Sequence, residues 1–311
     1  MLTWVNHKLA RVKSELERVR FVSAIDAILN TAPLTMTAGG PTVVTMVGRH
    51  DVSLYLLSVK SFARYCGPGR VVILDDGTLR ADDATLLRQH IPGITIVSKS
   101  EVPRGLCQQG GCWERLCLIG ELSAPDYVVQ LDSDMLTLRR PDRLIQLVAA
   151  QRSFTMPGDL EGSAIMSARQ AAAVARSMPG DFFQLRFERA LSGLPDPDTW
   201  NYVRGCAALS AFPRRSISLA GIEALHQTYE SLVGVDAWKT WGSEQITSNT
   251  LVVQRDDAEV LPLDLYCSHF PRGTTFDFSQ AAMVHFIGTH RYENGTYQRL
   301  ALRVLRDLPA A

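Results

Sequence analysis

The chain carries no excess charge of either sign: among 311 residues, 32 Lys and Arg balance 32 Asp and Glu. Proteins that hold nucleic acid by its phosphates need a positive excess, so a general nucleic-acid binder is not expected. A local basic pocket for a small phosphorylated ligand is still compatible with this balance. No run approaches the roughly 20 apolar residues that span a bilayer. The first residues lack the apolar core and small-residue cleavage site of an export signal, so a cytoplasmic protein is expected. The cysteines Cys66, Cys107, Cys112, Cys117, Cys206 and Cys267 contain no Cys-x-x-Cys pair. They read as reduced, mostly buried thiols rather than disulfides or a zinc site. No Gly-x-Gly-x-x-Gly loop follows the first predicted strand, which argues against a dehydrogenase.

What is present is ordered. Leu2, Val5, Leu9, Val12, Leu16 and Val19 step by threes and fours among charged residues, predicting an amphipathic helix to about Leu29. Its seam suits packing on the body, self-association or peripheral contact with an anionic membrane surface. Thr31 to Pro41 reads as a linker, so residues 1–40 form a helix and linker and 41–311 the main domain. Within that domain, 41–140 read as a nucleotide-binding half and 141–311 as an acceptor-side half.

From Thr42 strands and helices alternate. Apolar, β-branched runs at Thr42–Val47, Val71–Leu74, Ile94–Val97 and Tyr127–Leu131 suit strands buried on both faces. Between them lie predicted helices after Asp51, over about Asp82–His90 and over Trp113–Leu122. The pattern implies an α/β fold, a mostly parallel sheet flanked by helices, with ligands gathering at the carboxyl edge of the strands. Later expected elements are helices near Arg169–Ser177, Asp181–Leu191, Ser218–Leu232, Ser243–Leu251 and Thr296–Leu308, with strands at Ala207–Ala211 and Met283–Phe286.

Asp132-Ser133-Asp134 directly follows the fourth strand. In extended chain the two carboxylates share a face, roughly 6.5 Å apart along the strand. They repel unless a cation sits between them, and hard divalent ions such as Mn²⁺ or Mg²⁺ suit such oxygen ligands. Among 20 aspartates a chance Asp-x-Asp is unsurprising, and Asp196-Pro197-Asp198 is a second one, read as a turn. The strand-end position singles out the first.

The segment Tyr127-Val-Val-Gln-Leu-Asp-Ser-Asp-Met-Leu136 resembles the acidic signature of GT-A (Rossmann-like) glycosyltransferases, especially the glycogenin and galactosyltransferase-like family 8. Trp241-Gly-Ser-Glu-Gln-Ile-Thr-Ser-Asn249 is similar to that family's Asp-Gln helix, with Glu244 in place of Asp. Val284-His-Phe-Ile-Gly-Thr-His-Arg291 is similar to its terminal His-Phe-x-Gly motif, with Arg291 where Lys is usual and no Pro-Trp following. The family's Asn-Ala-Gly-Val segment has only Val203-Arg204-Gly205-Cys206 as a counterpart, which leaves the family and the stereochemistry open.

The resemblance implies that Asp132, Asp134 and His285 hold Mn²⁺ or Mg²⁺ and that Arg291 contacts the diphosphate. It places Gln245 beside the anomeric carbon in a reaction retaining configuration. An inverting enzyme would need a carboxylate base, for which Glu244 or Asp159 could serve. Val47 and Arg49 lie at the family's nucleotide-binding position, and Asp76 could accept a hydrogen bond from base or ribose. Arg115 could approach the diphosphate or pair with Asp132. Ser133 accompanies the two ligands, Gly205 could let backbone approach a sugar, and Asp159 and Glu161 form an acidic loop suited to sugar hydroxyls. Plain alternatives stand beside these: a core histidine at His285, a polar first turn at Glu244-Gln245 and a solvated Arg49. The expected partners are a nucleotide-sugar, a UDP-sugar first, and a saccharide, lipid or protein acceptor. The rivals are a nucleotidyltransferase, an Asp-x-Asp phosphohydrolase and a non-catalytic nucleotide-binding module on the same scaffold.

Overall fold

The computed structural model describes residues 15–158, 164–269, 277–288 and 291–311. Helix α1 covers 15–24 and yields to a tighter turn at Asp26–Asn30, so the helix expected to reach Leu29 stops short. The docked stripe of this segment is Phe21 on α1 with Ile25 and Ile28 just beyond it, whereas the heptad residues Leu16 and Val19 are more than half exposed. Leu2, Val5, Leu9 and Val12 lie outside the described residues. The stretch after Thr31 lies against the body: Leu34 N–H donates to the His90 carbonyl and Thr37 N–H to the Pro68 carbonyl.

The first half follows the expected alternation: β1 (Thr42–Val47), α2 (Val52–Ala63), β2 (Arg70–Asp75), α3 (Ala81–His90), β3 (Thr95–Ser98), α4 (Trp113–Leu122) and β4 (Val128–Leu131). Then come β5 (Met135–Thr137), α5 (Asp142–Ala149), β6 (Phe154–Pro157), β7 (Met166–Ser167), α6 (Ala168–Ser177) and α7 (Phe183–Ala190). β8 (Asn201–Tyr202), β9 (Gly205–Phe212), α8 (Leu219–Val233), α9 (Val235–Trp238) and α10 (Ser243–Val253) follow. β10 (Glu259–Val260), β11 (Tyr266–His269), β12 (Met283–Phe286) and α11 (Thr296–Arg306) complete the chain.

The main sheet has the order β10-β6-β9-β4-β1-β2-β3. β1 is parallel to β2 and β4, β2 to β3 and β6 to β10, while β9 runs antiparallel between β4 and β6. It is the mostly parallel, helix-flanked α/β sheet expected, with one reversed strand inside it. The buried runs explain both covered faces. Val44, Val72 and Leu74 pack with α4 and α8, whereas Val71, Ile73 and Val47 pack with α2 and α11. Successive side chains of a strand point to opposite faces, so a continuous apolar run feeds both layers.

A smaller sheet, β11-β12-β5, decides the site. β12 is antiparallel to β5 and pairs His285 with Met135. Chain separated from the acidic motif by about half the protein's length thus lies beside it. Among the described residues no helix is long and apolar enough to cross a membrane.

Candidate active site

Asp132-Ser133-Asp134 joins β4 to β5 as a turn rather than extended chain: Met135 N–H reaches back to the Asp132 carbonyl at 3.3 Å. The expected strand-like spacing of the carboxylates is therefore replaced by a fold-back that converges them. The turn is pinned on several sides. Thr45 Oγ1 donates to the Leu131 carbonyl at 2.6 Å, Ser58 Oγ donates to the Asp132 carbonyl at 2.9 Å, and Asp132 N–H donates to Ala208 on β9. Phe286 N–H donates to the Asp134 carbonyl at 3.1 Å, extending the β12 ladder into the turn. One ligand atom each from Asp132, Asp134 and His285 then lies within 4.8 Å of the others.

Charge around the three is compensated on both sides. Arg115, on the first turn of α4, donates from Nη1 to Asp132 Oδ1 at 2.5 Å. Its Nη2 stands 3.4 Å from both oxygens of Glu244, and its buried Nε has no partner among the described residues. Burial pushes the Glu244 carboxyl up to about 7, against the pull of Arg115. Asp134 receives Arg291 Nη1 on Oδ2 at 2.8 Å and faces His285 Nε2 from Oδ1 at 3.2 Å. Burial opposes its charge, but His285 and Arg291 outweigh that and hold it below the ordinary carboxylate value. Burial likewise works against charge on His285; Cys206, 3.3 Å from Nδ1, and Asp134 outweigh it and raise the imidazole well above its usual range.

These groups line an open cleft, which also takes in Cys112, Ala207, Trp241, Gln245 and Gly288. Gln245 accepts from Ala207 N–H at 3.3 Å. The first turns of α4 and α10 both face the cleft, and Trp113 Nε1 and Gln108 Nε2 tie their starts together through Ser243 Oγ.

Of the residues singled out in the sequence, Asp132, Asp134, His285, Arg115, Arg291, Glu244 and Gln245 meet in this cleft, with Ser133 half-buried in the turn between the two aspartates. Gly205 does not line it. A Cβ there would come within 2.7 Å of Asn249 Oδ1, so its bareness serves close packing of β9 on α10. Val47 is buried at the end of β1, and Arg49 and Asp76 sit beyond the ends of β1 and β2. Arg49 leans toward Asp83 at 4.0 Å, and Asp76 accepts from Thr78 N–H and Oγ1. Asp76 Oδ2 lies where a Cβ on Gly48 would come within 2.4 Å, so a bare Gly48 is needed there. Asp159 and Glu161 lie outside the described residues.

The sequence reading missed three neighbours. Asp51 enters the sequence analysis only as the residue before a predicted helix, and it occupies that N-cap without a side-chain cap bond. Burial raises its carboxyl, Arg291 lowers it, and Asp134 and Asp76 raise it, so it shares the site's electrostatic neighbourhood. Cys112 has a left-handed backbone at the start of α4, and its thiol is pushed up to about 12 by burial. Two preceding glycines, Gly110 and Gly111, were the available signal for that turn. Trp241, which opens the Asp-Gln-like motif, carries no role there by its residue type, yet it lines the cleft and is exposed.

No protein-family model matches the chain, and no curated protein matches it. Among solved structures it is similar to the galactosyltransferase LgtC in complex with donor and acceptor sugar analogues, at 13% identity and TM-score 0.49, over 87% of this chain and 97% of that one. It is also similar to the glycosyltransferase GlyE of Streptococcus pneumoniae TIGR4, at 12% identity and TM-score 0.43, over 86% of this chain and 62% of that one. A third similar structure is mouse xyloside xylosyltransferase 1, at 11% identity and TM-score 0.40, over 79% of this chain and 96% of that one.

Proposed function

We propose that the protein transfers a glycosyl group from a nucleoside diphosphate sugar, a UDP-sugar first, to an acceptor hydroxyl, using a divalent cation. The convergence of Asp132, Asp134 and His285 within 4.8 Å, flanked by Arg115 and Arg291, carries this reading. Two carboxylates and one imidazole nitrogen fit a hard divalent ion, and the nitrogen favours Mn²⁺ over Mg²⁺. When bound, such an ion neutralises charge developing on a departing diphosphate.

The remaining roles belong to the chain's own residues. Arg291 stands at the mouth beside Asp134 and would turn its guanidinium to the phosphate oxygens, which a planar fork suits. The first turns of α4 and α10 present their positive ends to the same cleft, a favourable setting for a diphosphate. Val47, Arg49 and Asp76 would take the nucleoside beyond β1 and β2. Gln245, fixed by Ala207 N–H, would lie beside the transferred sugar carbon in a retaining reaction, with the acceptor entering on the leaving-group face. Glu244, held near neutral pKa by burial, is the carboxyl that an inverting reaction would use.

The test is release of UDP from a panel of UDP-sugars with and without Mn²⁺, followed by determination of the product anomer. Asp134→Ala and the near-isosteric Asp134→Asn should both abolish metal-dependent turnover. Undiminished turnover in either, with the fold intact by circular dichroism, sinks the reading.

A further inference from the structure

We propose that Trp241 is a stacking platform for the acceptor sugar ring, an assignment that rests on the glycosyl-transfer reading and specifies where its second substrate lies. Trp241 is 74% exposed, more than any other large apolar side chain among the described residues, and it lines the same cleft as Asp132, Asp134, Glu244 and Gln245. By contrast Trp113 and Trp238, beside it in the fold, are fully buried.

The local backbone accounts for this exposure. Gly242 is the N-cap of α10 with φ +103°, a left-handed conformation that glycine adopts without strain. Trp241 therefore occupies the position just before the cap. An apolar residue there ordinarily folds onto the fourth helical residue as a hydrophobic staple. Here that residue is Ile246, already buried at 3% exposure, while the indole remains in solvent. The ring is thus not spent on capping the helix, and it stands a few residues from Glu244 and Gln245.

An indole face is electron-rich, and a pyranose presents a face of weakly positive C–H bonds with hydroxyls at its rim. Stacking buries that face while the hydroxyls reach the polar side chains beyond. A nucleobase can also stack on an aromatic ring, but the strand ends proposed for the nucleoside, at Val47, Arg49 and Asp76, are not among the residues lining the cleft with Trp241. The sugar end of the site is therefore the better match.

Trp241→Ala and Trp241→Phe separate these possibilities. With the UDP-sugar that turns over, transfer to water and transfer to lactose, maltose and the methyl glycosides of glucose, galactose and xylose are measured in parallel. Trp241→Ala should raise the acceptor KM about tenfold, the scale of one lost stacking contact, with the donor KM moving less than twofold and Trp241→Phe recovering most of the loss. An unchanged acceptor KM, or an equal rise in the donor KM, overturns the assignment. A second readout does not depend on turnover: in the presence of UDP and Mn²⁺, the same saccharides should shift tryptophan emission in the wild type and not in Trp241→Phe. No shift with any of them overturns the platform. A shift without turnover of any nucleotide-sugar supports it as a saccharide site while removing the transferase reading.

Discussion

Arg115 shows how much one side chain can hold in place. It bridges Asp132 and the buried Glu244 from the start of α4, and removing one partner of such a cluster leaves charge in a low-dielectric interior. Arg115→Met should lower unfolding free energy by about 3 kcal/mol, read by chemical denaturation, and adding Glu244→Gln should recover part of it. Independent, additive losses in the double variant would show that the contact does not couple them. Gly205 is the opposite case, important for what it lacks. Gly205→Ala drives a Cβ into Asn249, which is itself fixed by Thr155 Oγ1 at 2.7 Å. Overpacking of this kind costs about 1–3 kcal/mol, and because α10 also carries Gln245, the proposed transferase activity should fall with it. Normal stability and rate in Gly205→Ala would instead show that Asn249 can move aside. Arg115 was legible as a candidate in the sequence. Gly205 was legible as a glycine with a purpose, but the purpose lay in a helix more than forty residues away.

Elements differed in legibility for physical reasons. The α4 and β1 spans match their sequence patterns because apolar and β-branched periodicities are strong over ten and six residues. β5, β6, β10 and β11 went unread, since strands of two to four residues carry too little pattern and are defined by their partners. The same applies to the docking of α1, whose buried stripe differs from its heptad seam. The segment after α1 is held by an unusual anchor. Lys60 is buried and its Nζ donates to the Thr31 carbonyl and Oγ1 and to the Ala32 carbonyl, with His90 Nδ1 at 2.9 Å. Burial lowers its pKa from 10.5 to about 8. Between those values the unfolded chain binds the extra proton, so this group's contribution to stability rises with pH from about 8 toward 10.5 and is flat below. Wild type should therefore gain melting temperature relative to Lys60→Met as pH increases across that window. A difference independent of pH would refute the shift.

For the molecule as a whole, the candidate metal ligands come from two distant stretches, the β4–β5 turn and β12, brought together by the small sheet. A ligand that binds only the folded chain stabilises it by mass action, about 2.7 kcal/mol at a hundredfold excess over Kd. Mn²⁺ with UDP should accordingly raise the melting temperature by several degrees, and Asp134→Ala and His285→Ala should each remove the increment. An equal rise in both variants would place the ion elsewhere. Differential scanning fluorimetry of the intact chain decides between these outcomes.

The sequence by itself determined the alternating α/β architecture, the strand-end position of Asp132 and Asp134, and the candidacy of His285, Glu244 and Gln245, because each rests on local periodicity or a short motif. It could not say that the acidic motif turns back on itself, or that Arg115, a candidate partner for Asp132, also reaches Glu244, and it offered the meeting of His285 with Asp134 only through a family resemblance. Those depend on pairing β12 with β5 and on setting the starts of α4 and α10 side by side. Such contacts are made across sequence separations at which a hydrophobic pattern says only that a residue is buried, and not against what.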